Sequence, residues 1–288
     1  MWILYAFGAA LFAGTTAILA KCGVKNTDSN VATAIRTVIV LIFSWLIVFI
    51  VGSQNTIATI SSKTLIFLIL SGLATGGSWI CYFKALQLGN VNRVAPIDKF
   101  SSVLSILLAF IVLGEPVTLL KVIAIVPISI GTYLMVQKKK VEESRDASNK
   151  RWIVYAFLSA IFASLTSILG KIGIHGVESN LGTAIRTIVV LIMAWVVVFL
   201  TKKQGKIKEI DKKSLLFICL SGVATGSSWL CYYRALQEGQ ASIVVPIDQL
   251  SIVLTVAFSY FFLKEKVNKK SISGLALLVI GTLILIIS

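Results

Sequence analysis

Histidine occurs once in this chain, cysteine four times and proline four times, and charged residues make up only 14% of it. Each shortage excludes a chemistry. The cysteines (Cys22, Cys81, Cys219, Cys231) form no C-x-x-C pair, and one histidine cannot complete the usual zinc ligand sets, so no metal is expected. The same poverty removes hydrolases built on a Ser/His or Cys/His pair, and the chain does not read as an enzyme. There is no G-x-x-x-x-G-K-[ST] loop, which excludes nucleotide-driven work by this chain alone, and no cofactor is expected. The shortage of charge says most. A soluble domain is about 25% charged and about 45–50% apolar, whereas 57% of these 288 residues are hydrophobic. That balance excludes a disordered chain, a collagen-like chain and a small disulfide scaffold, and it points to the lipid bilayer. Lysine and arginine outnumber Asp and Glu by 27 to 12. In a soluble chain this would suggest nucleic acid. In so apolar a chain the positive-inside rule is the better account, and no nucleic-acid partner is expected.

A spanning helix needs about 20 apolar residues. Runs of that kind lie at 2–20, 31–51, 65–88, 94–113 and 118–136, then at 152–170, 181–200, 215–238, 244–263 and 272–287. The expectation is an all-α integral membrane protein with ten transmembrane helices. The opening run lacks a positive n-region and recurs in mid-chain, so it reads as a retained helix rather than a signal peptide.

The chain is a tandem duplication. Adding 150 to any number from 1 to 138 lands on the counterpart residue without a gap. SGLATGGSWICYFKALQLG (71–89) returns as SGVATGSSWLCYYRALQEG (221–239), with 13 of 19 positions identical; TAIRT (33–37) returns at 183–187, and APID (95–98) as VPID (245–248). Recurring leucine would not match Trp79 to Trp229, Pro96 to Pro246 or Arg36 to Arg186. The units are 1–138 and 151–288, joined by a charged linker at 139–150. Five spans per unit is an odd number, so the second unit enters the membrane inverted. Alternation puts twenty lysines and arginines on one side and four (Lys63, Lys121, Lys171, Arg234) on the other, with Arg36, Lys99 and Arg186 inside spans. The rich side, linker included, is then cytoplasmic and both termini lie outside. Residues 52–63 carry one lysine and their counterparts 202–213 carry six. Inverted repeats with a site at their interface are a transporter architecture.

Charges inside spans usually face a cavity. Arg36 lies about six residues, roughly 8–9 Å, into the second span; Asp98 enters the fourth to a similar depth. Arg186 and Asp248 repeat this near the outer face. The expectation is two polar layers, one guarding each mouth. The alternatives are arginines that snorkel to headgroups and acids that complement a helix N-terminus. Asp98, Ser101, Ser102 and Ser105 share one helical face, as do Asp248, Ser251, Thr255 and Ser259. Such stripes suit a cavity wall holding a polar solute, or else bonds between helices. Trp79 and Trp229 sit too deep for interfacial anchors; with Tyr82 and Tyr232 close by in sequence they are candidate cavity walls, simple packing being the alternative for the tryptophans. Thr15, Thr16, Ser164, Thr166 and Ser167 add polar atoms to spans one and six. Pro96 and Pro246 stand either in a first helical turn or at a bend. Gly72-x-x-x-Gly76 and Gly222-x-x-x-Gly226 read as close helix crossings.

Taken together, CYFKALQLG and CYYRALQEG, the PID that follows each, LGE at 113–115, LKE at 263–265 and the Gly131 and Gly281 spans resemble the EamA-like branch of the drug/metabolite transporter superfamily. The resemblance covers both units. It implies ten helices in two inverted five-helix units around a cavity lined by spans 1, 3, 4, 6, 8 and 9. It also implies movement of small metabolites, amino acids among them, often outward. The related small multidrug-resistance proteins carry an acid in their first helix; spans 2–20 and 152–170 have none.

The expected function is a secondary transporter in the cell membrane, an exporter, passive or ion-coupled, moving an amino-acid-like zwitterion or small anion by alternating access. Asp98 and Asp248 are the acids a coupling proton would use. Substrate and bilayer are the expected partners, with the chain a monomer or homodimer. A channel or a lipid-handling protein is the alternative.

Overall fold

The computed structural model describes residues 1–23, 27–88, Val94, Ile97, 100–135, 151–261 and 268–288. Eleven α-helices stand among them, and no strand. They are α1 (Trp2–Gly23), α2 (Ser29–Val51), α3 (Ser62–Leu88), α4 (Ser101–Val112), α5 (Leu119–Met135), α6 (Arg151–Ile174), α7 (Ser179–Leu200), α8 (Lys212–Glu238), α9 (Ala241–Gln249), α10 (Ser251–Phe261) and α11 (Lys269–Ile286). Among the described residues, eight stretches are long and apolar enough to cross a membrane, with Ala241–Phe258 counted as one; α4 and α5 are shorter apolar helices. The chain is a multi-pass membrane protein.

The helices start where polar caps satisfy free amides. Asp28 accepts from the amides of Asn30 and Val31 at the head of α2, and its counterpart Glu178 accepts from Leu181 at the head of α7. Asp211 opens α8 through Ser214, whose amide and hydroxyl hold that carboxyl below the usual carboxylate range. Within the helices, the hydroxyls of Thr37, Thr183 and Thr187 donate to the carbonyl four residues back, which satisfies these three without water.

Small residues form the helix crossings and large apolar ones face outward, as bilayer packing demands. A Cβ on Gly72 would stand 2.7 Å from that of Val189, and one on Gly222 would stand 2.6 Å from that of Ile39. The close-crossing reading of both motifs holds. Phe49, Ile50 and Ile111 are exposed on the outside.

Contacts between helices exchange when 150 is added to the residue numbers. The α1–α8 pair becomes α6–α3, α2–α8 becomes α7–α3, and α1–α10 becomes α6–α4. Along α1, Gly8 meets Cys231 and Gly23 meets Ile218, so α1 and α8 are antiparallel. Ser78 meets Ser159 and Gly173 meets Leu68, so α3 and α6 are antiparallel as well. Asn30 bonds Thr201 while Val48 packs on Leu181, which sets α2 against α7. Gly72 and Gly76 track Val189 and Met193, and Gly222 and Gly226 track Ile39 and Phe43. Hence α3 and α7 run together, as do α2 and α8. In all, α1, α3 and α7 run one way and α2, α6 and α8 the other.

The ninth apolar run, expected as one helix over 244–263, is two, parted at Leu250. Tight three-residue bonds, Leu250 N–H to Ile247 O and Val253 N–H to Leu250 O, mark the break. Pro246 is the sixth residue of α9, past the first turn. Its missing N–H leaves the Ser242 carbonyl without its helical partner just ahead of the break. Asp248 therefore stands beside an interrupted helix. Pro96, Asp98, Lys99 and Glu265 lie outside the described residues.

Candidate functional site

Arg186 is the eighth residue of α7, about 10 Å in from its start, and is 2% exposed. Insertion scales put an arginine at a helix centre at roughly 2.5–3.5 kcal/mol, so its surroundings must answer the charge. Neutral groups contact it directly. Nε donates to Ser71 Oγ at 2.9 Å and Nη2 to Thr75 Oγ1 at 2.5 Å, both on α3. The guanidinium carbon lies 5.1 Å from the Trp229 ring centre and 4.9 Å from that of Tyr233, so the π faces of α8 cover it. Nη1 is buried with no hydrogen-bond partner among the described residues. Snorkelling to headgroups does not describe this side chain.

A second ring of bonds holds the cradle. Ser71 Oγ donates to Thr166 O at 2.7 Å and also bonds the Tyr233 hydroxyl; Thr75 Oγ1 donates to Ser71 O at 3.0 Å. Tyr232 donates to Ser167 Oγ at 2.8 Å. Asp248 and Arg186 both act electrostatically on Tyr232 and Tyr233. Arg186, Trp229, Tyr232 and Tyr233 thus form one cluster with Asp248 in electrostatic reach, and α3 of the first half is built into the second.

The other residues expected from sequence are more dispersed. Trp79 packs with Val31, Ala34, Ala194 and Val198, and Tyr82 joins a different cluster around Ala85 and Ala156. Ser102 and Ser105 are 2% exposed, on a helix packed against α6 and α9; Ser105 donates to Ser101 O. Thr255 donates to Ser251 O on α10. Thr15 and Thr16 donate to Leu11 O and Phe12 O, and Thr16 also accepts from Thr225. Arg36 is partly buried, and among the described residues it makes no hydrogen bond. Asp98 heads its stripe from outside the described residues.

Ser71, Thr75 and Tyr233 are the site residues that sequence reasoning overlooks. Ser71/Ser221 and Thr75/Thr225 are identical in the repeated motif, a signal open to inspection. Tyr233 gives no such signal, because its counterpart is Phe83.

At the end of the bundle nearest Arg186 the two halves are knitted together. Glu115, 9% exposed, accepts from the amides of Ala241 (2.6 Å) and Ser242 (3.0 Å) at the head of α9. Lys121 donates to Gln240 Oε1 and to Pro116 O, Lys171 to Leu236 O and Gly239 O, and Gln237 to Ile174 O and Val177 O. Beyond this knot a cavity of about 710 Å³ opens, with Lys63, Lys171, His175 and Glu238 in its wall. Among the described residues no cluster of His, Cys, Asp and Glu suits a metal ion.

Comparison with known proteins agrees with this architecture. The model of the EamA-like transporter family matches twice, over residues 1–137 and 150–287. An uncharacterised transporter from a Sinorhizobium species, named for its place in a cobO 3′ region, is 42% identical over 137 residues, which is 48% of this chain and 97% of that protein. An uncharacterised protein of Methanocaldococcus jannaschii is 32% identical over 136 residues, 47% of this chain and 96% of that protein. Each relative is thus about one unit long. A solved structure, titled only as the crystal structure of a protein, superposes with a TM-score of 0.79 over 99% of this chain and 96% of that one; at 14% identity this speaks to fold alone. The chain belongs to the EamA-like transporter family and is a membrane transporter.

Proposed function

We propose that the chain is a secondary exporter that moves an amino-acid-like zwitterion or small organic anion across the cell membrane by alternating access. Ten spans form two five-helix units, 1–138 and 151–288, inverted relative to one another and joined by a cytoplasmic linker at 139–150, with both termini outside. One observation carries the reading. A charged and aromatic cluster (Arg186, Trp229, Tyr233, with Asp248 in electrostatic reach) is buried where helices of both halves cross. Such a cluster has no use against lipid. A guanidinium and a carboxylate that both act electrostatically on one aromatic pair match the two charges of a zwitterion. Opposed helix directions and the exchange of contacts between halves support inversion, since swapping the conformations of matched units interchanges the two mouths. The interrupted α9–α10 pair beside Asp248 is the kind of element transporters place at a ligand. Asp248, and Asp98 by its matched position, would carry a coupling proton.

The test has two steps. Purified protein is screened by thermal shift against metabolite pools, because a ligand of the folded state raises apparent stability by mass action. Hits are then assayed in liposomes for counterflow. Stimulation by unlabelled substrate on the far side is expected; uptake without such stimulation would indicate a channel and overturn the reading.

A further inference from the structure

The three residues of the Arg186 tie are duplicated without change as Arg36, Ser221 and Thr225. The backbones around the two sets also pack alike. A Cβ on Gly72 would stand 3.2 Å from Arg186 O, and one on Gly222 would stand 3.1 Å from Arg36 O. Arg36 is thus carried on a helix set against its hydroxyl partners as Arg186 is. Yet only one tie is made. Arg186 bonds Ser71 and Thr75. Ser221 turns instead to Ile218 O on its own helix, while Thr225 keeps bonds to Ser221 O and Thr16 that match those of Thr75 to Ser71 O and Thr166, but takes up no guanidinium among the described residues. The aromatic covers differ in the same sense: Trp229 lies on Arg186, whereas its counterpart Trp79 packs among Val31, Ala34, Ala194 and Val198. The made tie lies toward the end of the bundle that Glu115 closes on Ala241 and Ser242.

We propose that Arg186 and Arg36 form alternating ties between the units. In this conformation the Arg186 tie is closed and holds the Glu115 end shut. In the opposite-facing conformation Arg36 bonds Ser221 and Thr225, and Arg186 releases Ser71 and Thr75. The proposal rests on the alternating-access reading and assigns to it the bonds that select one state over the other. A ligand or bond shifts such an equilibrium only by its difference between the two states, and each tie is made in one state alone.

The experiment uses the full-length protein in liposomes, with Cys22, Cys81, Cys219 and Cys231 replaced by alanine and one reporter, Ser242→Cys. Ser242 is fully buried against the Glu115 carboxylate, so its alkylation by a maleimide requires the closed end to open and its rate scales with the open population. Ser221→Ala with Thr225→Ala removes a tie that is absent from the conformation described and, of the bonds present in it, only one between helices, the 3.3 Å contact of Thr225 with Thr16. This pair of changes is expected to slow labelling roughly tenfold, the weight of about one hydrogen bond to a charged group. Ser71→Ala with Thr75→Ala is expected to speed it by a similar factor. An unchanged or faster rate in the Ser221/Thr225 variant overturns the proposal whatever happens to the other. Counterflow of a mixture of the twenty L-amino acids is measured on the same liposomes. Counterflow with unshifted labelling defeats the ties alone; shifted labelling with uptake that lacks trans-stimulation leaves the ties standing and defeats the alternating-access reading.

Discussion

Glu115, in the turn after α4, caps the helix that begins at Ala241, 126 residues away: both carboxylate oxygens accept backbone amides, from Ala241 at 2.6 Å and from Ser242 at 3.0 Å. The acid comes from the first half and the amides from the second, so the bond joins the halves at the end nearest Arg186. Lys171 Nζ stands 4.0 Å away and adds a weaker attraction. Glu115→Gln places an amide donor where two donors already point. It should cost about 1–3 kcal/mol of stability, the penalty for buried polar groups left unsatisfied, read as a lower unfolding temperature in detergent. An unchanged temperature would mean the cap carries no weight.

Arg186 should not tolerate lysine. A lysine ammonium cannot present the planar fork that reaches Ser71 and Thr75 together, nor stack between Trp229 and Tyr233. Arg186→Lys is expected to lower flux at least about tenfold, equivalent to roughly 1.4 kcal/mol, in protein that still reaches the membrane. Liposome uptake normalised to inserted protein is the measure, and wild-type flux would deny the fork a role.

Asp248→Asn keeps the size of the side chain and removes the charge beside Tyr232 and Tyr233. Flux should be abolished while the protein inserts and folds, and any dependence of transport on a proton gradient should vanish with it. Normal flux in Asp248→Asn would remove this acid from the account.

Much of the fold is open to reading because membranes enforce simple rules. Apolar length marks the helices, eight stretches of which are long enough to span among the described residues, and a gapless offset of 150 relates the helix contacts of the two halves. What resists reading is long-range or subtle. The break at Leu250 depends on where α9 starts, since only that start decides whether Pro246 sits in a first turn or past it. The cap on Ala241 joins residues far apart in sequence, and nothing local to Glu115 announces it. Comparison of the halves highlights Tyr82 and Tyr232, which match, and passes over Tyr233, which touches Arg186 but faces Phe83 in the alignment. The hydroxyl stripes on the fourth and ninth spans draw attention away from Ser71 and Thr75, which hold the guanidinium.

The matched crossings set a steric limit that can be checked directly. At Gly222 an added Cβ would stand 2.6 Å from Ile39 Cβ and 3.1 Å from Arg36 O. Backbone and a β-branched side chain cannot move aside cheaply. Gly222→Ala should cost about 1–3 kcal/mol, as overpacking of a tight interface does, and Gly72→Ala should behave alike against Val189. Thermal unfolding of the two variants is the test, and a pair of neutral results would mean the helices are less close than described.

The proposed mechanism requires the two units to lie inverted in the membrane, and one accessibility experiment tests this. Asn55 and Gly205 are counterparts 150 residues apart, both exposed in the short segments that follow α2 and α7. Each is replaced singly by cysteine in a background lacking the four native cysteines, and intact cells are treated with a maleimide that cannot cross the membrane. Asn55→Cys should label in intact cells, and Gly205→Cys only after permeabilisation. Labelling of both from the same compartment would contradict the account.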